Sequence, residues 1–193
     1  MQSYKKLYTY WFSVIIYDMI VDFTEKNIKS FKLKEQTEGA ARSGKQNIVE
    51  ASIDMQTSLK LPIKMYSTSK GSFEEEIGDL EDFLRQKGMK QYPKNDPRIL
   101  NWRATSARLV RTLSSLRTLE EQRNLSSLRN LRKLFEFSGI QEEVNLLLTL
   151  CHQASFLLDR QIKSLEEKHL KEGGYSEKLY RARRSYLDQA KVG

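Results

Sequence analysis

Apolar side chains recur at helical spacing in four long segments of this 193-residue chain, at about residues 4–30, 33–52, 57–88 and 141–171. The third segment is the most regular, because its apolar positions alternate between steps of four and three residues. That alternation is typical of the seam of a left-handed helical bundle. Its members are Leu59, Ile63, Tyr66, Phe73, Ile77, Leu80 and Leu84. The pattern predicts an all-α protein whose core lies between packed helices.

The first segment is apolar around most of its circumference. One side carries Leu7, Trp11, Val14 and Val21, and another carries Tyr8, Phe12, Ile15 and Met19. A helix that is apolar on two faces must bury both of them. Either the helix lies at the centre of the bundle or its second face meets another subunit, and four helices leave little room at a centre. We therefore expect the second face to be an interface between subunits.

Lys5 and Lys6 precede this apolar segment, which raises the alternative of a signal peptide or a membrane anchor. Asp18 and Asp22 interrupt the segment, however. Its purely apolar part is shorter than the roughly 20 residues that a membrane-spanning helix needs. We therefore predict a buried helix and no association with a membrane.

The second segment contains few bulky apolar residues but many small ones, which allow neighbouring helices to approach closely. The small residues are Ala40, Ala41, Ser43, Gly44 and Ala51. Ser43, Asn47 and Glu50 follow one another at i, i+4 and i+7, so they stack on one face of the helix. We interpret these three residues as a structural polar network that fixes the register between helices. The alternative is a functional surface.

Residues 98–138 interrupt the pattern between the third and fourth segments. The unit Leu113-Ser-Ser-Leu-Arg-Thr-Leu119 recurs as Leu125-Ser-Ser-Leu-Arg-Asn-Leu131, twelve residues later. Twelve residues advance a helix by about 120° beyond whole turns, so the two copies would not share one face. We therefore predict a helical insert made of two short helices that are joined near residues 120–124.

The end of the chain is predicted to be a separate unit. Gly173 and Gly174 terminate the fourth segment, and a short helix follows within residues 173–193. We therefore divide the chain into a bundle domain at residues 1–172, which includes the insert, and a basic C-terminal suffix helix.

Positive charge is concentrated in the insert and the suffix. The chain has 33 basic and 25 acidic residues, a net charge of +8, and residues 103–133 alone hold eight basic residues against two acidic ones. Binding of nucleic acid requires several cations that reach phosphates, and aromatic rings or guanidinium planes bind unpaired bases. The candidate nucleic-acid-binding residues are Arg103, Arg108, Arg111, Arg117, Arg129, Arg132, Lys133, Lys178, Arg181 and Arg184. The neighbouring aromatic residues are Trp102, Tyr175, Tyr180 and Tyr186. The alternative is an ordinary solvated helix face.

Patterns that would support catalysis or metal binding are weak. Glu166 and His169 form one Glu-x-x-His motif. A di-iron bundle needs such a motif on each of two helices, so the chain has only one of the two. Cys151 and His152 are adjacent, so on a helix they point about 100° apart. The acidic run at residues 74–82, Glu76 included, is interpreted as a solvated face. We expect no enzymatic activity, no cofactor and no metal, and the single cysteine suits a reducing cytoplasm.

Several motifs resemble those of a known bacterial family. They are Ala-Arg-Ser-Gly-Lys-Gln-Asn-Ile-Val-Glu at residues 41–50, the acidic and apolar run at 73–84, the segments at 145–153 and 157–166, and Gly-Gly-Tyr at 173–175. This combination resembles the four-helix-bundle proteins encoded in intervening sequences of 23S ribosomal RNA genes, in particular the subset with an extra C-terminal suffix.

The resemblance covers roughly residues 4–92 and 140–187. Two positions depart from the family, since Gly39 stands where it usually has Arg and Ala51 where it usually has Gly. The resemblance implies an antiparallel up-and-down four-helix bundle with a short C-terminal helix after it. The helical insert before the last bundle helix has no counterpart in the family and comes from the residue pattern alone. It also implies a ring-shaped homo-oligomer, such as a pentamer, with a basic surface.

Relatives that accompany reverse transcriptases in diversity-generating retroelements are thought to bind RNA and the polymerase. The resemblance therefore implies RNA and a reverse transcriptase as partners. Taken with the charge pattern, it leads us to expect a cytoplasmic, non-enzymatic homo-oligomer that binds nucleic acid, RNA rather than DNA, through the insert and the suffix. The alternative is an adapter or scaffold that docks an acidic protein partner.

Overall fold

A computed structural model describes residues 3–55, 59–116 and 134–190 of the chain. In these residues a short 3-10 helix, Ser3–Lys6, precedes six α-helices. They are α1 (Tyr8–Asn27), α2 (Phe31–Asp54), α3 (Lys60–Gln86), α4 (Pro97–Ser115), α5 (Gly139–Glu172) and α6 (Tyr175–Ala190). The predicted all-α fold is confirmed, because the described part of the chain contains helices and no strand.

Helices α1, α2, α3 and α5 form a closed four-helix bundle. Each packs against two neighbours, in the order α1, α2, α3, α5 and back to α1. Thr24, near the end of α1, donates a hydrogen bond to Glu38, near the start of α2, so these two helices are antiparallel. An ion pair of 2.9 Å joins Lys70 of α3 to Asp159 of α5. These contacts and the packing order agree with the predicted up-and-down arrangement.

Helix α4 is a fifth packed helix and not an appendage. It lies against α1 and α5 and runs parallel to α5, as two hydrogen bonds show. Arg98 donates to Glu142 at 2.9 Å, and Ser106 donates to Gln153 at the same distance. The side chains that α4 buries are Ile99, Trp102, Ser106, Val110 and Leu113. Part of the insert therefore belongs to the core of the bundle.

The position of α4 corrects the expectation for α1. Three of the four residues that were assigned to an interface between subunits, Phe12, Ile15 and Met19, are at most 3% exposed within a single chain, whereas the fourth, Tyr8, is 46% exposed. For the three buried residues the assignment is wrong because α1 has three helical neighbours, α2, α4 and α5, and α4 was expected to lie outside the bundle. The burial of α1 therefore gives no support to an oligomer.

The structure corrects the prediction for the first of the two short helices in the insert. Helix α4 is 19 residues long and ends inside the first repeat unit, because Leu116 has extended backbone angles. The second repeat unit, at residues 125–131, and the predicted joint near 120–124 lie outside the described residues.

The small residues of α2 do bring α3 close, as predicted. A Cβ atom at Gly44 would lie 2.9 Å from Cζ of Phe73. The hydroxyl of Ser69 also donates a hydrogen bond of 2.7 Å to the backbone oxygen of Gly44. Gly39, one turn and a half earlier, has open space around it. Close packing of α2 on α3 therefore depends on the absence of a side chain at one particular position.

The predicted polar network on α2 is only partly present. Asn47 donates hydrogen bonds to the backbone and side-chain oxygens of Ser43, at 2.9 and 3.2 Å, and Ser72 of α3 lies within hydrogen-bond distance of the Ser43 hydroxyl. Glu50 is exposed, so its inclusion was wrong. These three residues lie along the margin of the α2–α3 interface. There Ser43 and Asn47 are half-buried, whereas the longer Glu50 side chain reaches solvent.

Helix α6 differs from the others because it buries nothing. Gly173, with a positive φ of 73°, ends α5, and every side chain at residues 175–189 is exposed. In the part of the chain that the structure describes, no helix is long and apolar enough to cross a membrane.

Candidate nucleic-acid interface

Helix α4 points Arg108 and Arg111 away from its buried face, whereas Arg103 stands at the edge of that face. Arg108 and Arg111 are exposed and Arg103 is half-buried. None of the three forms an ion pair with a described residue. The nearby Arg98 behaves differently, because it pairs with Asp96 at 2.8 Å and with Glu142 at 2.9 Å. Its hydrogen bond to Asp96 lowers the pKa of that carboxyl group.

One large group of exposed carboxylates, on α3, lies on a different side of the bundle from α4. Helix α3 exposes an acidic face and packs on α2 and α5, whereas α4 packs on α1 and α5. The face comprises Glu74, Glu75, Asp79, Glu81 and Asp82. Because α3 and α1 are diagonal in the bundle, this negative charge does not neutralise the arginines of α4.

Two clefts lined by described residues border α4, and each contains one of its predicted cations. A cleft of about 480 Å³ is lined by Arg111 together with Lys6 and Tyr8. A second cleft of about 370 Å³ is lined by Arg103 together with Lys94 and other polar residues. Sequence reasoning missed Lys6 and Lys94, since Lys6 was taken as the flank of an apolar segment and Lys94 stands in a short loop. Only the tertiary structure shows that these two lysines lie close to α4.

Trp102 is not available to stack on a base. It was expected beside the cations as an exposed aromatic residue, but it is 1% exposed and its indole N–H donates to the backbone oxygen of Glu136 at 3.1 Å. The reason is its position on α4, three residues after the buried Ile99 and four before the buried Ser106.

Helix α6 has both chemical features that unpaired nucleic acid requires. Arg181 and Arg184 are exposed and form no ion pair with a described residue, and the same holds for Arg183, which was not among the predicted residues. Lys178 is partly neutralised by Glu172 at 3.3 Å. The tyrosine rings of α6 are also largely in solvent, at positions Tyr175, Tyr180 and Tyr186.

Four predicted residues cannot be placed in this interface. Arg117, Arg129, Arg132 and Lys133 lie outside the described residues. The candidate residues that the structure describes are therefore Arg103, Arg108 and Arg111 on α4 and Lys178, Arg181 and Arg184 on α6, together with Arg183 and the exposed tyrosines of α6.

Groups with unusual protonation lie in the bundle core, away from this interface. Glu76 is fully buried, so its assignment to a solvated face was wrong: it stands on the seam between Phe73 and Leu80. Burial, assisted by the charge of Asp79, raises the pKa of Glu76 to about 8. Neither carboxyl oxygen makes a well-aligned hydrogen bond, although the backbone of Ala41 is close enough to oppose part of that shift.

The described residues contain no group of three or more histidine, cysteine or acidic side chains that could hold a metal ion. The single cysteine, Cys151, is buried, and burial raises the pKa of its thiol. A thiol in that environment is a poor nucleophile.

Comparisons of the chain with protein-family models, with curated proteins and with solved structures each found no match. What the chain binds is therefore inferred from the geometry and charge of α4 and α6.

Proposed function

We propose that this protein is a cytoplasmic, non-enzymatic, homo-oligomeric helical-bundle protein that binds nucleic acid, with RNA favoured over DNA. The observation that carries the proposal is α6, a 16-residue helix whose described side chains are all exposed. A helix of this length gains little stability from propensity alone, and most helices in proteins depend on tertiary packing. A binding partner would supply the contacts that α6 lacks.

The side chains of α6 favour a single-stranded polyanion as that partner. Three arginines, Arg181, Arg183 and Arg184, present planar guanidinium groups that bind phosphates in a bidentate manner and stack on bases. Tyr180 and Tyr186, 66% and 71% exposed, supply stacking surfaces. Stacking on aromatic rings is the usual way in which proteins hold unpaired bases, which RNA loops and ends provide. The arginines of α4 extend the basic surface onto the bundle.

The oligomeric part of the proposal depends on the family resemblance and on multivalency. A ring such as a pentamer would repeat the basic surface, and linked binding sites gain avidity that one subunit lacks. The same resemblance makes a reverse transcriptase a proposed protein partner.

A second candidate function is that of an adapter for an acidic protein. Helix α6 also exposes Leu179 and Leu187, at 56% and 49%. A basic helix with exposed apolar side chains can lay them in the groove of an acidic partner. A search for proteins that co-purify with the tagged protein, with and without nuclease treatment, separates the two functions.

A salt titration of RNA binding tests the main proposal. Affinity for a single-stranded RNA of about 20 nucleotides is measured by fluorescence anisotropy, and the logarithm of the binding constant is expected to fall linearly with the logarithm of salt concentration. The triple variant Arg181→Gln, Arg183→Gln, Arg184→Gln should bind at least tenfold more weakly. Its salt slope should be smaller by about two, at roughly 0.7 per lost contact.

The matched control removes the same charge from other helices. The triple variant Arg42→Gln, Lys64→Gln, Arg160→Gln changes exposed residues of α2, α3 and α5 and should bind nearly as well as the wild type. An affinity that does not respond to salt, or an equal loss in both triple variants, would contradict binding through α6.

A further inference from the structure

The cleft of about 370 Å³ beside Arg103, here called the Arg103 cleft, is formed by three parts of the chain. The loop between α3 and α4 contributes Gln91 and Lys94, α4 contributes Arg103, and α5 contributes Thr149 and His152. Two permanent cations and one imidazole therefore meet at a single cleft from three separate elements. No acidic residue is among the described residues that line it.

A rigid frame holds this cleft open. Asn145 of α5 is 1% exposed and ties the loop to the helix: its amide donates to the backbone oxygens of Lys90 and Gln141, at 3.0 and 2.8 Å, and its oxygen accepts from the backbone N–H of Tyr92 at 2.6 Å. The guanidinium of Arg98 stacks 3.7 Å above the ring of Tyr92. Because the loop is fixed before a ligand arrives, little ordering would oppose binding.

The cations of the cleft have no charged partner in the described residues. The nearby carboxylates, Asp96 and Glu142, are both engaged by Arg98. Arg103 makes one weak hydrogen bond, of 3.4 Å, to the backbone oxygen of Lys94. Its other guanidinium N–H groups make no hydrogen bond with a described residue. A half-buried arginine with unused donors in an acid-free cleft has the chemistry of an oxyanion site.

We propose that the Arg103 cleft binds a phosphate monoester. Arg103 would hold two phosphate oxygens in a bidentate manner, Lys94 would add a point charge, and Thr149 and His152 line the same cleft. The phosphate can belong to a small phosphorylated compound or to the 5′ end of an RNA. Only the second source rests on the proposed function.

Nuclear magnetic resonance of the histidine rings gives a local test, because the chain contains only two histidines. Inorganic phosphate is titrated into the full-length protein at constant ionic strength. The ring signals of His152 should shift and reach saturation, whereas those of His169, which does not line the cleft, should not. Absence of a saturable shift at His152 overturns the proposal.

Matched variants show whether the cleft is responsible. Arg103→Gln and, separately, Lys94→Gln should weaken the apparent affinity for phosphate at least tenfold, whereas Arg160→Gln, an exposed residue of α5 that does not line the cleft, should leave it unchanged. Lys94 is exposed in a loop, so its variant is expected to fold even if Arg103→Gln does not. A His152 shift that persists in both cleft variants contradicts the proposal.

Two short oligoribonucleotides of one sequence then identify the source of the phosphate. If the 5′-phosphorylated form shifts His152 and the 5′-hydroxyl form does not, the ligand is an RNA end. If inorganic phosphate shifts the His152 signals and neither oligoribonucleotide does, the ligand is a small phosphorylated compound. The α6 triple variant separates this proposal from RNA binding in general, because it should lose affinity for the long RNA and keep the His152 response.

Discussion

Helices α4 and α6 are both basic and interleaved with apolar residues, yet they are built into the molecule in opposite ways. Helix α4 buries five side chains, among them Trp102 and Val110, against α1 and α5. Helix α6 leaves its leucines and tyrosines in solvent. The packing of α4 fixes the positions of its arginines, and Arg103 and Arg111 each line a separate cleft. On α6 no described residue packs in this way, and in the proposed function a nucleic acid supplies the missing contacts.

The largest expected difference between the two helices is in stability. Trp102→Ala on α4 removes a buried indole and its hydrogen bond, so the free energy of unfolding should fall by about 3–5 kcal/mol. Tyr180→Ala on α6 should change it by no more than about 0.5 kcal/mol, as is usual for exposed positions. Urea denaturation measures both. Similar losses for the two variants would mean that α6 is packed in solution.

The bundle that α4 joins should also respond to pH through Glu76. Because the pKa of Glu76 is raised from 4.5 to about 8 in the folded protein, stability should be highest below about pH 4.5 and should fall as the pH rises to about 8. The free energy of unfolding cannot fall by more than about 5 kcal/mol, because each pKa unit corresponds to roughly 1.4 kcal/mol. Glu76→Gln should remove this part of the pH dependence in denaturation experiments, whereas the exposed Glu75→Gln should retain it. An unchanged slope in Glu76→Gln is the contrary result.

Close packing inside the bundle can be tested at two glycines of one helix. Gly44→Ala places a Cβ 2.9 Å from Phe73 and should lower the unfolding free energy by about 1–3 kcal/mol, because the ring must move. Gly39→Ala has open space and should raise it by up to about 1 kcal/mol, since alanine favours a helix. Thermal unfolding compares the two. Equal effects would show that α2 and α3 are less closely packed than described.

The last expected effect is on binding rather than on stability, and it concerns the aromatic residues of α6. Tyr180→Leu combined with Tyr186→Leu keeps the apolar character of the helix but removes two rings, so affinity for single-stranded RNA should fall by about 1–3 kcal/mol for each base that stacks. Anisotropy measurements at high salt, where the phosphate contribution is reduced, show this loss most clearly. An affinity equal to that of the wild type would leave the arginines as the only binding groups.

Periodicity predicted the fold better than it predicted the surface. The seam of α3 was visible because steps of three and four report directly which residues are buried. The same steps occur in α4, at Ile99, Trp102 and Ser106, but the arginines between them and the repeat unit nearby favoured an external insert. That one misplacement also produced the wrong subunit interface on α1. Glu76 was misjudged because composition, in an acidic run, outweighed its position on the seam.

The candidate site was only partly predictable from the sequence. The arginines of α4 and α6 stand out as a local excess of charge, which sequence shows. Lys94, Arg103 and His152 belong to three separate elements, and no local pattern connects them. A cleft that depends on tertiary packing becomes visible only when the helices that form it have been placed.

Amide hydrogen exchange with and without RNA tests most directly whether a nucleic acid binds α6 and supplies the contacts that this helix lacks. Alone, the amides of α6 should exchange far faster than those of α3 or α5, because no packing protects them. With saturating single-stranded RNA, residues 175–190 should become protected, while exchange in the core of the bundle should stay the same. Unchanged exchange in α6, at an RNA concentration that saturates the protein, would contradict the account.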